Sequence, residues 1–188
     1  MNDNFKKQIS NIEDLVEISD ILTESTELQE SLSKYSKVPF DPEFSRHGRK
    51  IPVNFDKKGD TIYLLGNYKE EDDDNSSVVE ILYDAFEKGL VTSAHSLKET
   101  GLFCGLVEAC GVKKLGFDIT GDAEMSDKEF LFNDHNCSIL ISVCTEKEGK
   151  LVDFIFNNGI KLTLLGHVTK GELRIDDLSF GYIVDYLE

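Results

Sequence analysis

His95 stands where a short β-branched run gives way to a helical pattern, and the polar residues Ser96, Lys98, Glu99 and Thr100 follow it. At such a junction an imidazole and the free N–H groups of a helix start can both face a ligand, so the segment is a candidate site. The same residues also suit an N-cap and first helical turn, with Glu99 well placed for the helix dipole. A second candidate is Asp134-His135 in the string Phe130-Leu131-Phe132-Asn133-Asp134-His135-Asn136, because an Asp beside a His tunes its proton affinity. An ordinary Asn/Asp turn has the same composition. His167, after Leu164-Leu165-Gly166, falls at a strand end, where a lone histidine is more often structural than catalytic.

Other residue groups carry less. Cys104, Cys110, Cys137 and Cys144 have no CxxC pairing of the kind that clamps zinc, and they read as reduced thiols, partly in the core. Ser45-Arg46-His47-Gly48-Arg49-Lys50 is the most basic stretch; it could grip an anion, although short charge runs are mostly solvated faces. Glu70-Glu71-Asp72-Asp73-Asp74 offers carboxylates to a hard cation, but no calcium-loop pattern surrounds them, and a solvated loop is the plainer reading. No Walker-type GxxxxGK[ST], dinucleotide GxGxxG, nucleophile elbow or HExxH pattern occurs, so several large chemistry classes lose their usual sequence support.

The elements that must position these residues follow from periodicity. In residues 5–32 the apolar positions recur three and four apart, giving one long amphipathic helix or two shorter ones, with a break plausible at Thr23, Ser25 and Thr26. Residues 34–50 hold Pro39 and Pro42 and no sustained period, which predicts a linker or an extended wrapping arm. Strands are expected at 61–66, 90–94, 115–119, 138–144, 161–168 and 172–175, and helices at 78–88, 97–109 and 150–157. Strands and helices interleave, so the fold class is α/β (α+β): a mixed sheet covered by helices, with an N-terminal helical arm. The expected division is an arm and linker at 1–50 and an α/β domain at 51–188.

Length and charge bound the function. A chain of 188 residues with 40% hydrophobic and 30% charged residues supports one substantial core, and it has no apolar run of membrane-spanning length. The polar start of the sequence lacks the apolar stretch of a secretory signal, which points to the cytoplasm. With 20 basic against 36 acidic residues the formal charge is −16, which disfavours nucleic acid; a small anion held by a few local cations stays compatible.

Five segments in order carry a family resemblance: Gly59-Asp60-Thr61-Ile62-Tyr63-Leu64-Leu65-Gly66, Gly89-Leu90-Val91-Thr92-Ser93-Ala94-His95, Gly101-Leu102 through Glu108, Leu131-Phe132-Asn133-Asp134, and Leu165-Gly166-His167-Val168. Over about residues 56–176 they resemble the C-terminal domain of the aminoimidazole ribonucleotide synthetase superfamily, most closely that of phosphoribosylformylglycinamidine synthase. The family motif HDvSDGGL departs here to Ser96 and Glu99 at its two Asp positions and Thr100 at one Gly; its turn glutamate is matched by Asp134 and the following Ser by His135. A Gly-Gly-Ser segment common after the first strand is replaced by the acidic run.

The resemblance implies a substrate-binding wall formed by His95, Glu99, Gly101 and Asp134, with no catalytic residue and no metal ligand assigned in this chain. Family members use ATP to activate the amide of formylglycinamide ribonucleotide, with nucleotide and magnesium carboxylates largely in a preceding N-terminal domain. Residues 1–50 are too short to be that domain, so ATP and magnesium are expected only with a partner that supplies it. The resemblance thus implies a ribonucleotide ligand and either such a partner chain or a homo-oligomer, in a purine-biosynthesis setting. The alternative is a non-catalytic binding or oligomerisation module that kept the fold, its N-terminal helix covering the surface where the other domain sits in the family.

Overall fold

The structure, a computed structural model, describes residues 12, 14–69, 75–98, 101–133 and 138–187. The described residues open with two helices, α1 (Leu15–Thr23) and α2 (Thr26–Lys37). The break falls at Ser25, whose hydroxyl accepts from the Leu28 N–H and so caps α2, while Asp14 caps α1 through the Val16 N–H. Leu15, Ile18 and Leu22 of α1 and Leu28, Leu32 and Tyr35 of α2 recur at helical spacing and are buried.

Residues 34–50 differ from the linker or extended arm that their composition predicts. Strands β1 (Phe40–Arg46) and β2 (Arg49–Pro52) form an antiparallel hairpin, closed by His47 and Gly48 with φ of 50° and 76°. Two central residues with positive φ make the tight turn whose twist matches paired strands, and histidine in its first position hides the usual Asn-Gly signature.

The remaining elements are β3 (Thr61–Gly66), α3 (Ser76–Glu87), β4 (Ser93–Ser96), α4 (Gly101–Gly111), β5 (Gly116–Ile119), α5 (Asp127–Phe132), β6 (Ser138–Val143), α6 (Glu148–Asn157), β7 (Leu162–Thr169), β8 (Glu172–Ile175) and β9 (Leu178–Tyr182). Seven strands form one mixed sheet in the order β4-β6-β3-β7-β5-β8-β9, antiparallel throughout except for the β5–β8 pair. The α+β class with a mixed sheet and helices is the one that the interleaved pattern predicts. The largest boundary shifts are at two starts: β4 starts at Ser93 instead of residue 90, and α4 starts at Gly101 instead of residue 97. Short α5 and the terminal strand β9 are additional elements. The acidic run at 70–74 lies outside the described residues.

Alternation along β3 divides the interior in two. Ile62 and Leu64 face a core shared with α1, α2, α4 and α5, whereas Tyr63 and Leu65 face one shared with the hairpin, α3 and α6. Every residue of α4 is buried, as expected of a helix held between the sheet on one side and α2 and α5 on the other. The N-terminal helices are therefore built into one core and the hairpin into the other.

Close backbone approach fixes the centre of the sheet. A Cβ at Gly166 of β7 would lie 2.0 Å from the Asp118 carbonyl oxygen and 2.8 Å from the Ile119 Cα. Both are backbone atoms that cannot swing aside, so Gly166→Ala should destabilise the protein by roughly 3 kcal/mol or more. Urea unfolding of the two proteins checks this; a loss below about 1 kcal/mol would contradict the spacing.

Candidate functional site

The sequence candidate His95 is the penultimate residue of β4 and lies inside the protein, 2% exposed, between two acidic side chains from other elements. Its Nε2 lies 2.5 Å from Oε2 of Glu108 on α4, and its Nδ1 lies 3.3 Å from Oδ2 of Asp41 on β1. The Tyr35 ring of α2 meets the imidazole edge-on, with centroids 4.9 Å apart. The Ser31 hydroxyl, one turn earlier on α2, donates to the other Glu108 oxygen. Asp41 also accepts from the backbone N–H groups of Glu43 and Ser96, at 3.0 and 3.1 Å. Four elements, α2, β1, β4 and α4, thus meet at one buried ionic cluster.

Electrostatics fix its charge state. Burial alone would drive the imidazole neutral, but hydrogen bonds and charge from Asp41 and Glu108 outweigh it and raise the His95 pKa to about 9. Burial likewise works against the Asp41 carboxylate, yet the hydrogen bonds from His95, Glu43 and Ser96 win and hold its pKa below the ordinary range. An imidazolium between two carboxylates leaves one net negative charge inside. With both nitrogens engaged and no solvent contact, His95 holds the cluster together and has no free nitrogen for a ligand.

Gly101, the second described site candidate, has φ of 69° and starts α4 against the C-terminal end of α5. A Cβ there would lie 3.3 Å from the carbonyl oxygens of both Leu131 and Asn133. The described anchors of the two predicted site segments therefore touch at one end of the sheet, where β3 and β4 finish. Glu99 and Asp134 themselves, and His135 with them, lie outside the described residues. Lys98 is tied back to the hairpin by a 2.8 Å ion pair with Glu43.

The other sequence candidates are dispersed. His167 is an exposed residue of β7 opposite Asp118 and Thr61, and the basic string 45–50 forms the hairpin tip, where Arg46 pairs with Glu80 at 3.0 Å. Cys104 and Cys110 are buried thiols outside any disulfide; burial pushes Cys104 up to about 12 and Cys110 well above its usual value, so neither is a ready nucleophile. Among the described residues no group of three His, Cys, Asp or Glu side chains is placed to hold a metal. Among them, too, no helix is long and apolar enough to cross a membrane. Asp60, in the first family-like segment, is fully buried with neither carboxyl oxygen in a hydrogen bond, and burial pushes its pKa up against the nearby Lys57.

Sequence reasoning missed Asp41, Glu108, Ser31 and Tyr35 as partners of His95. The 13-residue step from His95 to Glu108, from strand end to the helix turn facing it, was a usable signal. Asp41, 54 residues away in a segment without period, gave none.

Comparison with known proteins places this arrangement. No family model matches the sequence. The chain is similar to phosphoribosylformylglycinamidine synthase subunit PurL of Carboxydothermus hydrogenoformans, with 30% identity over 148 residues, 66% of this chain and 20% of that protein. It thus spans about a fifth of the length of that relative. Among solved structures it resembles phosphoribosylformylglycinamidine synthase II of Thermotoga maritima, with a TM-score of 0.65 and 13% identity over 76% of this chain and 28% of that one. It also resembles thiamine-monophosphate kinase of Stenotrophomonas maltophilia, with a TM-score of 0.52 and 13% identity over 69% of this chain and 54% of that one.

The ionic cluster has a pH signature. His95 has a folded pKa near 9 against 6.5 unfolded, so its contribution is complete below pH 6.5, declines between 6.5 and 9, and is absent above. Wild-type unfolding free energy should fall across that window by on the order of 3 kcal/mol. His95→Gln should be less stable at pH 6 and lack this slope; an equal slope in both proteins would assign the titration elsewhere.

Proposed function

Because this chain is related to phosphoribosylformylglycinamidine synthase of purine biosynthesis and shares its fold, we propose that it forms the substrate-side wall of a ribonucleotide site, without the ATP chemistry. The observation that carries this reading is the close approach of Gly101 to the carbonyls of Leu131 and Asn133, near enough that a Cβ there would lie 3.3 Å from each, which gathers the anchors of both family-like site segments at one end of the sheet. The ligand-facing rim is then the part at Gly101, to which the resemblance adds Glu99 and Asp134, outside the described residues. His95, assigned to the wall by the resemblance, acts from behind it: its buried cluster fixes the strand end and the helix that frame the rim. Thermotoga maritima PurL has been solved with ATP and with FGAR, which supports testing those two ligand classes. ATP and magnesium would come with a partner chain that carries the nucleotide-binding domain; PurL of the same organism has also been solved in an assembly named PurLQS.

A second reading is a non-catalytic binding or oligomerisation module. It is favoured by the sealing of His95 and Glu108 under Ser31 and Tyr35 of α2, which lets the chain's own N-terminal helices serve as a permanent cover.

A thermal-shift titration separates the two. A ligand at 100 times its Kd adds about 2.7 kcal/mol of native-state stability, or about 5 to 10 °C in Tm for a chain of this size. Formylglycinamide ribonucleotide should produce such a shift in the isolated chain, and ATP with magnesium should not. Flat curves for the ribonucleotide, with or without a nucleotide-domain partner, would sink the wall reading in favour of the module.

A further inference from the structure

The outer side of α6 carries an apolar stripe that the fold leaves open. Leu151 and Ile155 turn inward and are buried, whereas Gly149, Val152 and Phe156 follow one another at the spacing of a helical seam on the opposite side. Phe156 is 80% exposed and Val152 40%, and a Cβ at Gly149 would meet nothing within 4 Å. On β7, a strand that α6 contacts, Leu164 is likewise more than half exposed. Charge sets this surface apart from the rest. Residues 145–161 hold three lysines and three acids, so the whole formal charge of −16 is carried by the remainder of the chain. Lys150 and Asp153 lie on one flank of the stripe, both exposed, and among the described residues neither has an ion-pair partner.

We propose that this face of α6 is where a second copy of the chain docks, the two helices running antiparallel about a two-fold axis that passes between Val152 and Asp153. Gly149 and Phe156 lie equally far from that axis, about 5 Å along the helix on either side. Each Phe156 ring then seats over the Gly149 of the other copy, where the missing side chain leaves room, and the contact repeats itself under the symmetry. The same arrangement brings Lys150 of each copy alongside Asp153 of the other, which pairs two charges that stay single in one copy. A parallel pairing would instead stack ring on ring and leave the two glycines facing a void. The charge also favours a like partner here, because two acidic bodies repel least where the local charge is balanced, whereas a basic partner would be drawn to the acidic remainder. Two helices of 10 residues bury less than the roughly 1,600 Å² of a standard stable interface, so the dimer is weak and depends on concentration. The stripe belongs to the layer of α3 and α6, and Gly101 to that of α4, so the inference stands whether or not the rim binds a ribonucleotide.

Sedimentation equilibrium of the full chain tests this. Wild type should show a monomer–dimer equilibrium with a Kd below about 1 mM, tightening as added salt screens the acidic bodies. Phe156→Ser should raise that Kd about tenfold or more and leave the Tm of the dilute monomer unchanged, since the ring is exposed there. Gly149→Leu is the discriminating variant. In the monomer the open space accepts the side chain and the helix gains a better former, so the dilute Tm holds or rises; in the dimer the filled space excludes Phe156, and the Kd rises about tenfold or more. Val184→Ser, at a residue 54% exposed beyond β9, should leave the Kd as in wild type. A wild type that stays monomeric up to about 1 mM would overturn the proposal. So would a dimer that survives Gly149→Leu, one that loosens with added salt, or one that Val184→Ser weakens as much as Phe156→Ser does.

Discussion

The interior of this protein is organised around an imidazolium wedged between two carboxylates. Taking three ionised groups out of water costs several kcal/mol each, and attraction between them returns that only when every hydrogen-bonding atom is engaged. Here both His95 nitrogens, both Asp41 oxygens and both Glu108 oxygens are engaged, the last by His95 and Ser31. A cluster of this kind adds little net stability over a well-packed apolar substitute. What it adds is placement. The hydrophobic faces of α2 and of the hairpin would tolerate a small slide over the sheet; the ions would not, because any slide leaves a buried charge unpaired.

That placement is consequential because the two cores lie on opposite faces of the sheet. Alternating residues of β3 and β6 send Leu64 and Leu140 to the side of α1, α2 and α4, and Leu65, Ile139 and Ile141 to the side of the hairpin, α3 and α6. Oily surface alone makes each layer adhere to its face of the sheet without relating one layer to the other. The cluster relates them: Ser31 and Glu108 reach it from the first layer, and Asp41 from the second. His95 lies at the sheet edge, where both layers can reach one ring.

Much of this was legible in the sequence where the cause was local. The break between α1 and α2 at Ser25, the buried strand at 61–66 and the stop of α3 before Gly89, with φ of 66°, follow from hydroxyl capping, β-branched runs and a left-handed glycine, all set by a few adjacent residues. The ordered family-like segments added the sheet fold. The hairpin was not legible because His47 occupies a turn position that asparagine normally advertises, and α5 is only 6 residues, too short to show a period. Of the site, His95 and Gly101 could be named, yet the role of His95 could not, because its environment is set by Asp41 and Ser31, residues that sequence distance hides.

Donors on both edge strands of the sheet are taken up by the chain's own side chains. An edge strand presents unpaired N–H groups that invite another strand. At β9, the Tyr182 N–H donates to the Asp185 carboxylate at 2.8 Å and the Gly181 N–H to the Ser179 hydroxyl at 3.4 Å, so the chain's own side chains occupy those donors. At β4, the hairpin lies alongside and the Ser96 N–H goes to Asp41. One carboxylate thus does two things that are usually separate: it blunts an edge against strand addition and holds the buried cluster beneath that edge. A substitution there disturbs both, which ties the protection of the sheet to the packing of its two layers.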